Sequence, residues 1–360
     1  MRIGLLTGGG DCPGLNAVIR AVTKTLLFRA DATVIGFEDG FLGLIEQRAR
    51  PLQYRDASGI LTLGGTVLGT SNKANPFRFY KEDDRDVSDE VVAYARDLKL
   101  DGVVAIGGDG TMSICHRLHE KGLPIVGVPK TIDNDLIGTD QTFGFDTAVM
   151  IATEAMDRLH TTAQSHHRVM ILETMGRYAG WIALHAGVAA GADVILIPEL
   201  EYDIAEVARV CRERERGGQR FTIICMAEGA KPKGGSYTVS DIVEDSPDPI
   251  RLGGACRALA QVLEHHVESE IRTTILGHVQ RGGTPTPFDR VLATRFGEHA
   301  ARLAIDGQFG RMATLNGGAM SSIGLSEVAN KVKNVQPDDP IIDAAVSVGT
   351  SFGVSSLRLG

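Results

Sequence analysis

Twice in close succession a short β-branched run stops at a loop rich in Gly, Asp or Asn. Val103-Val104-Ala105-Ile106 runs into Gly107-Gly108-Asp109-Gly110-Thr111, and Ile125-Val126-Gly127-Val128 runs into Pro129-Lys130-Thr131-Ile132-Asp133-Asn134-Asp135. Apolar runs of this length, bounded by turn residues, read as strands buried on both faces. A parallel sheet with helical crossovers is the arrangement that covers both faces. Both loops then fall at the carboxyl ends of neighbouring strands, the edge at which open α/β sheets bind ligands.

The same rhythm continues along the chain. Strands are predicted at 3–7, 33–37, 103–106, 125–128, 169–173, 194–198, 222–226 and 273–276. Between them lie helical patterns: Leu15, Val18, Ile19, Val22 and Leu26 at helical spacing after the first loop, then 148–159, 204–216, 256–268 and 290–305. Strands alternating with helices predict an α/β fold of two doubly wound, Rossmann-like lobes with parallel-rich sheets and a cleft between them. We expect a first lobe over 1–144, completed by 279–310, and a second over 145–278, completed by 311–360. The polar stretch 231–250 reads as a surface excursion, and its acidic run at 244–248 as solvated loop rather than a metal site. Residues after Gly307 carry less signal.

Composition narrows the function classes. The 43 glycines gather after apolar runs, as turn and ligand-approach positions rather than low complexity. A net charge of −8 disfavours nucleic acid or an anionic membrane as main partner, yet local arginines can still bind a phosphate. Cys12, Cys115, Cys211, Cys225 and Cys256 are scattered, without zinc spacing, and suit reduced thiols. Cys12 reads as a small loop residue, with a reactive thiol as the sharper alternative. The first residues resemble a strand rather than a signal peptide, and no apolar run has the length of a membrane span, so a cytoplasmic location is expected.

Three loops carry candidate chemistry. Gly8-Gly9-Gly10-Asp11-Cys12-Pro13-Gly14 follows the first strand and opens a helix, whose positive end suits a nucleotide phosphate. Many such turns are Gly-rich for geometry alone. In the loop at 107–111, Asp109 suits Mg²⁺, or caps the helix at Met112. Kinases acting on lipids and on dinucleotides use a similar loop. With the carboxylates of Asp133 and Asp135 nearby to hold Mg²⁺ or take a proton, the combination reads as phosphoryl transfer onto a hydroxyl.

Those loops, with Met175-Gly176-Arg177 and His278-Val279-Gln280-Arg281-Gly282-Gly283 in the same order, closely resemble the 6-phosphofructokinase family over roughly residues 1–303. The resemblance implies transfer from ATP to the 1-hydroxyl of fructose 6-phosphate, with Mg²⁺ bridging donor phosphates. Asp133 matches the catalytic base, Thr131 a group bonding the transferring phosphoryl, Asp109 the metal-binding Asp, and Asp135 its support. Arg168, Met175, Gly176, Arg177, Glu228, Arg272, His278, Val279, Gln280 and Arg281 match sugar-phosphate positions, Arg177 also facing the transferring group. Gly10, Asn72, Lys73, Gly108, Gly110 and Thr111 fall on the donor side. Positions matching Arg168 and Arg272 serve a neighbouring subunit's site, which implies a homo-oligomer, commonly a tetramer. Where bacterial ATP users of the family carry a phosphate-bridging Arg, this chain has Asn72-Lys73.

The family divides by donor, and two positions point in opposite directions. Gly110 leaves open the space of the ATP α-phosphate, where pyrophosphate users typically carry Asp. Lys130 is typical of pyrophosphate users. Steric permission outweighs an added cation, so ATP is expected, with pyrophosphate the alternative. A non-catalytic regulatory subunit would be expected to lack Asp109 or Asp133, and both are present. Arg20 and Lys24 on the first helix suit either an effector nucleotide or an exposed helix face.

Overall fold

A computed structural model describes residues 1–243 and 249–357; the acidic run at 244–248 lies outside the described residues. The strands are β1 (Arg2–Thr7), β2 (Thr33–Phe37), β3 (Ala49–Leu52), β4 (Gly102–Gly107), β5 (Ile125–Pro129), β6 (Val169–Thr174) and β7 (Val194–Leu196). They continue with β8 (Thr222–Ala227), β9 (Val239–Ile242), β10 (Ile250–Leu252), β11 (Ile271–Ile275), β12 (Arg311–Asn316) and β13 (Ala319–Gly324). The helices are α1 (Leu15–Ala30), α2 (Phe41–Ile45), α3 (Ser88–Asp97), α4 (Asp109–Glu120), α5 (Phe145–His166) and α6 (Trp181–Ala189). After them come α7 (Ile204–Arg216), α8 (Ala255–Leu263), α9 (Pro287–Ile305), α10 (Leu325–Val328) and α11 (Pro340–Ser347).

Among the described residues, one sheet runs β13-β12-β5-β4-β1-β2-β3 and a smaller one β11-β6-β8-β7. The smaller sheet is parallel throughout, and the larger turns antiparallel at both edges, where β3 pairs with β2 and β13 with β12. Every residue of β4, β5, β6 and β8 is buried, as strands covered on both faces require. β4 and β5 are parallel neighbours, Gly107 opposite Pro129, so their two loops do emerge side by side. The two-lobed α/β architecture is thus the one expected.

Boundaries differ where polarity hides the period. The last strand of the smaller sheet begins at Ile271 rather than 273, with Arg272 inside it, and the helix expected to reach 268 ends at Leu263. Helix α6 is almost wholly apolar and buried along most of its length, so no amphipathic stripe marked it. One assignment changes lobe. Strands β12 and β13, expected with the second lobe, extend the first sheet instead: Arg311 and Met312 pair with Val126 and Gly127, and a hairpin fills the open edge beside β5. Further on, Ser351 bridges to Val194 of the smaller sheet, and α11 packs on α6.

The lobes share one apolar core, which runs from Ile3 and Leu5 through Phe143, Phe145 and Phe296 to Leu172 and Ile182. Helices α5 and α9 are packed together inside it. The Thr147 backbone N–H and hydroxyl both donate to Asp289 Oδ2, at 2.8 and 2.5 Å, within buried surroundings. Helix α9 starts where Pro287 follows Thr286, whose Oγ1 accepts from the Asp289 N–H at 3.2 Å. Gly14 turns the chain into α1 at φ 102°; a Cβ there would lie 2.8 Å from the Phe143 ring.

Candidate active site

The carboxyl edges of both sheets face one cleft of about 1200 Å³. From the first lobe it receives the loops after β1, β4 and β5; from the second, those after β6, β8 and β11. Gly10, Asn72, Gly108, Asp109, Gly110, Thr111, Lys130, Thr131 and Asp133 all line it. So do Met175, Arg177, Glu228, His278 and Arg281 from the second lobe. Most of these residues, far apart in sequence, converge because they follow the ends of strands; Asn72 comes instead from the long connection between β3 and α3.

Asp133 is 5% exposed, and its N–H donates to Thr131 Oγ1 at 3.0 Å. Burial pushes its carboxyl above the ordinary range, against the pull of Arg281 and Arg177, while Asp109 adds to the rise. Burial, reinforced by Asp133 and Asp109, likewise pushes Asp135 up to about 7. Oδ1 of Asp133 and Oδ1 of Asp135 are buried without a hydrogen-bond partner. Buried acceptors left unmatched are costly, and they mark where a proton, a cation or a substrate hydroxyl is accommodated.

Among the described residues no three acidic, His or Cys side chains converge closely enough to hold a metal by themselves. Mg²⁺ asks for less, since it keeps waters and draws ligands from substrate phosphates around one or two carboxylates. Asp109 on the cleft wall and the unmatched oxygen of Asp135 fit that requirement.

Lys130 is 4% exposed and donates from Nζ to the Gly10 carbonyl, while Arg281 Nη1 donates to the Asp11 carbonyl at 3.1 Å. Two cations therefore clamp the first Gly-rich loop. Burial lowers the Lys130 ammonium. Gly110, at the first turn of α4, has nothing within 4 Å of where a Cβ would stand. Cys12 is fully buried and burial pushes its thiol up, so it behaves as a packing residue.

On the second lobe, Arg177 takes a left-handed φ of 52°, and its N–H donates to Glu228 Oε1 at 3.0 Å. Burial pushes Glu228 up to about 7 despite that bond. Gln280, fully buried, accepts from the Met175 N–H at 2.8 Å, so it supports the Met175 turn from behind rather than facing the cleft. Val279 points out, 66% exposed, and Gly176 and Lys73 also lie off the wall; Lys73 sits over the Tyr80 ring. Arg168 and Arg272 both pair with Glu270, away from the cleft.

Further basic residues line the cleft that no motif singles out. Arg117 rests 3.5 Å over the Phe77 ring, and Arg251 and Arg257 flank Gly253-Gly254 at the start of α8. The glycine pair before a helix was the available signal, the same one present at Gly8–Gly10. Glu173 takes up that helix start, accepting from the Gly254 and Cys256 N–H groups at 2.9 and 2.8 Å.

Comparison with known proteins agrees with this geometry. The family model described as Phosphofructokinase matches residues 2–304. "ATP-dependent 6-phosphofructokinase 2" of Clostridium perfringens is 51% identical over 358 residues, covering 98% of each chain. "Pyrophosphate--fructose 6-phosphate 1-phosphotransferase" of Streptomyces coelicolor is 49% identical over 338 residues, covering 94% of this chain and 97% of that one. Among solved structures, the Pichia pastoris phosphofructokinase in the T-state is 28% identical with a TM-score of 0.79; the match covers 99% of this chain and 38% of that longer one. On the fold, the cleft and these matches, the chain belongs to the phosphofructokinase family.

Proposed function

We propose that this protein transfers the γ-phosphoryl group of ATP to the 1-hydroxyl of fructose 6-phosphate, giving fructose 1,6-bisphosphate, as a glycolytic enzyme. The observation that carries this reading is Asp133: a buried carboxylate with an unmatched oxygen, opposite a wall bearing Arg177, His278 and Arg281. Its raised affinity for a proton suits a general base for the sugar hydroxyl. Thr131 and the planar guanidinium of Arg177 bond the transferring phosphoryl. His278 and Arg281 face the sugar phosphate, and Glu228 fixes the Arg177 backbone that presents the guanidinium. Asp109, with Asp135 behind it, would hold Mg²⁺, which neutralises charge between donor phosphates. Gly10, Asn72 and Gly108–Thr111 receive the donor, the N–H groups opening α4 aimed at its phosphates.

Overall identity does not separate the donors, since relatives named for ATP and for pyrophosphate are about equally similar. Residue 110 favours ATP, because the space beside Gly110 is open. Lys130 supports pyrophosphate as a second reading, although its ammonium is engaged on the Gly10 carbonyl. A comparison of kcat/KM for the two donors with fructose 6-phosphate and Mg²⁺ tests this. ATP is expected to win, and Gly110→Asp to damage ATP use selectively. A carboxylate about 4 Å from the α-phosphate costs on the order of 4 kcal/mol at an effective dielectric near 20. Wild-type preference for pyrophosphate would overturn the assignment.

The reading extends to a cytoplasmic homotetramer in which the two lobes act as nucleotide and sugar-phosphate domains. Among the described residues no helix is long and apolar enough to cross a membrane.

A further inference from the structure

The segment after α10 had no role in the sequence reading, yet it reaches the catalytic loop from outside the cleft. The Lys333 ammonium donates to Asn134 Oδ1 at 3.3 Å and to the carbonyls of Thr139 and Asp140 at 3.0 Å each. Its backbone N–H donates to the Asp135 carbonyl at 2.7 Å, and its own carbonyl accepts from Trp181 Nε1 at 2.8 Å. Lys333 does not line the cleft. An ammonium has three donors and no acceptor, so one side chain here satisfies three acceptors of a single loop.

That loop needs an external hold. Asn134 sits between the two carboxylates in a left-handed conformation, φ 52°. From within the loop, Thr142 donates its N–H to Asn134 Oδ1 at 3.1 Å and its hydroxyl to the Thr131 carbonyl at 2.8 Å. The same segment touches the first turns of α4 as well: the Asn330 N–H donates to Ser113 Oγ, whose hydroxyl donates to the Asp109 carbonyl at 3.0 Å. At its other end the Val335 N–H donates to Glu199 of the second lobe at 2.9 Å.

We propose that Lys333 is a positioning residue for phosphoryl transfer: by clamping Asn134 and the 139–140 carbonyls, it fixes the turn that aims Asp133 and Asp135 into the cleft. This rests on Asp133 acting as the base. Displacement of a reacting group by about 1 Å costs about 10²-fold in rate, so a loosened clamp acts on turnover rather than on binding.

The test measures kcat and KM for ATP and fructose 6-phosphate in wild type, Lys333→Met, Lys333→Arg and Trp181→Phe. Lys333→Met is expected to lower kcat about 10²-fold with KM values within about threefold. Lys333→Arg, which restores charge and donors, should recover part of that loss. Trp181→Phe removes the indole N–H donated to the Lys333 carbonyl and so loosens the segment's hold on the second lobe, while keeping an aromatic face for the ammonium, which lies 5.3 Å from the Trp181 ring centroid; it should lower Tm while leaving kcat unchanged. Unchanged kcat in Lys333→Met, a loss carried by KM alone, or an equal kcat loss in Trp181→Phe would overturn the proposal. If Lys333→Met does not fold, Asn134→Gly keeps the left-handed turn and removes the acceptor. The same kcat-selective loss is expected there, and wild-type turnover would overturn the clamp. A wild-type protein inactive with ATP and fructose 6-phosphate would instead overturn the functional reading itself.

Discussion

A carboxylate acts as a base only if its environment makes the proton welcome, and Asp133 has such an environment. It is buried, one oxygen lacks a partner, and Arg177 and Arg281 keep its charge tolerable. Asp133→Ser removes the proton acceptor and keeps a small polar group, so kcat is expected to fall by at least about 10²-fold with little change in KM. Steady-state kinetics with saturating ATP check this; near wild-type kcat would take the role away from Asp133. At this scale the sequence was most legible, because Gly, Asp, Lys and Arg in loops after apolar runs are chosen for chemistry more than for packing. Gln280 shows the limit. Its place in the motif pointed to substrate, whereas the folded chain turns it inward onto the Met175 N–H.

At the scale of elements, α5 and α9 join the lobes through a polar contact in apolar surroundings. Asp289→Ala would leave the Thr147 N–H and hydroxyl proton buried without an acceptor, at a cost on the order of 1–3 kcal/mol, measurable by denaturant unfolding. Burial pushes the Asp289 carboxyl up to about 6, above the usual unfolded value of about 3.9. The folded state therefore binds this proton more tightly, and the group's contribution is complete below about pH 4 and lost as pH rises through about 6. Asp289→Asn should remove that slope from the stability profile while keeping an acceptor for Thr147. Nothing in the local sequence marks Asp289 for this: an Asp near a helix start reads as dipole complement, and only the neighbouring helix makes it a tie.

For the whole molecule, the placement of Arg168 and Arg272 matters most. Both pair with Glu270, and Arg168 immediately precedes β6, whose far end feeds the cleft. Six residue steps along the strand lead from it to Thr174, roughly 20 Å at about 3.3 Å per residue, so within one chain it does not serve that cleft. If these arginines complete a neighbour's site, Arg168→Ala mixed with Asp133→Ser should regain activity through hybrid oligomers. A fully active monomer by sedimentation would exclude this. Residue order alone determined the alternation of strands and helices, and which loops carry carboxylates, glycines and cations, because periodicity and turn chemistry are local. Tertiary structure alone decided that β12 and β13 close the first sheet, that Arg117, Arg251 and Arg257 reach the cleft, and that Lys333 grips the loop of Asp133. Those outcomes depend on edges left open, on burial and on partners distant in sequence, quantities that come into existence only when the chain has packed.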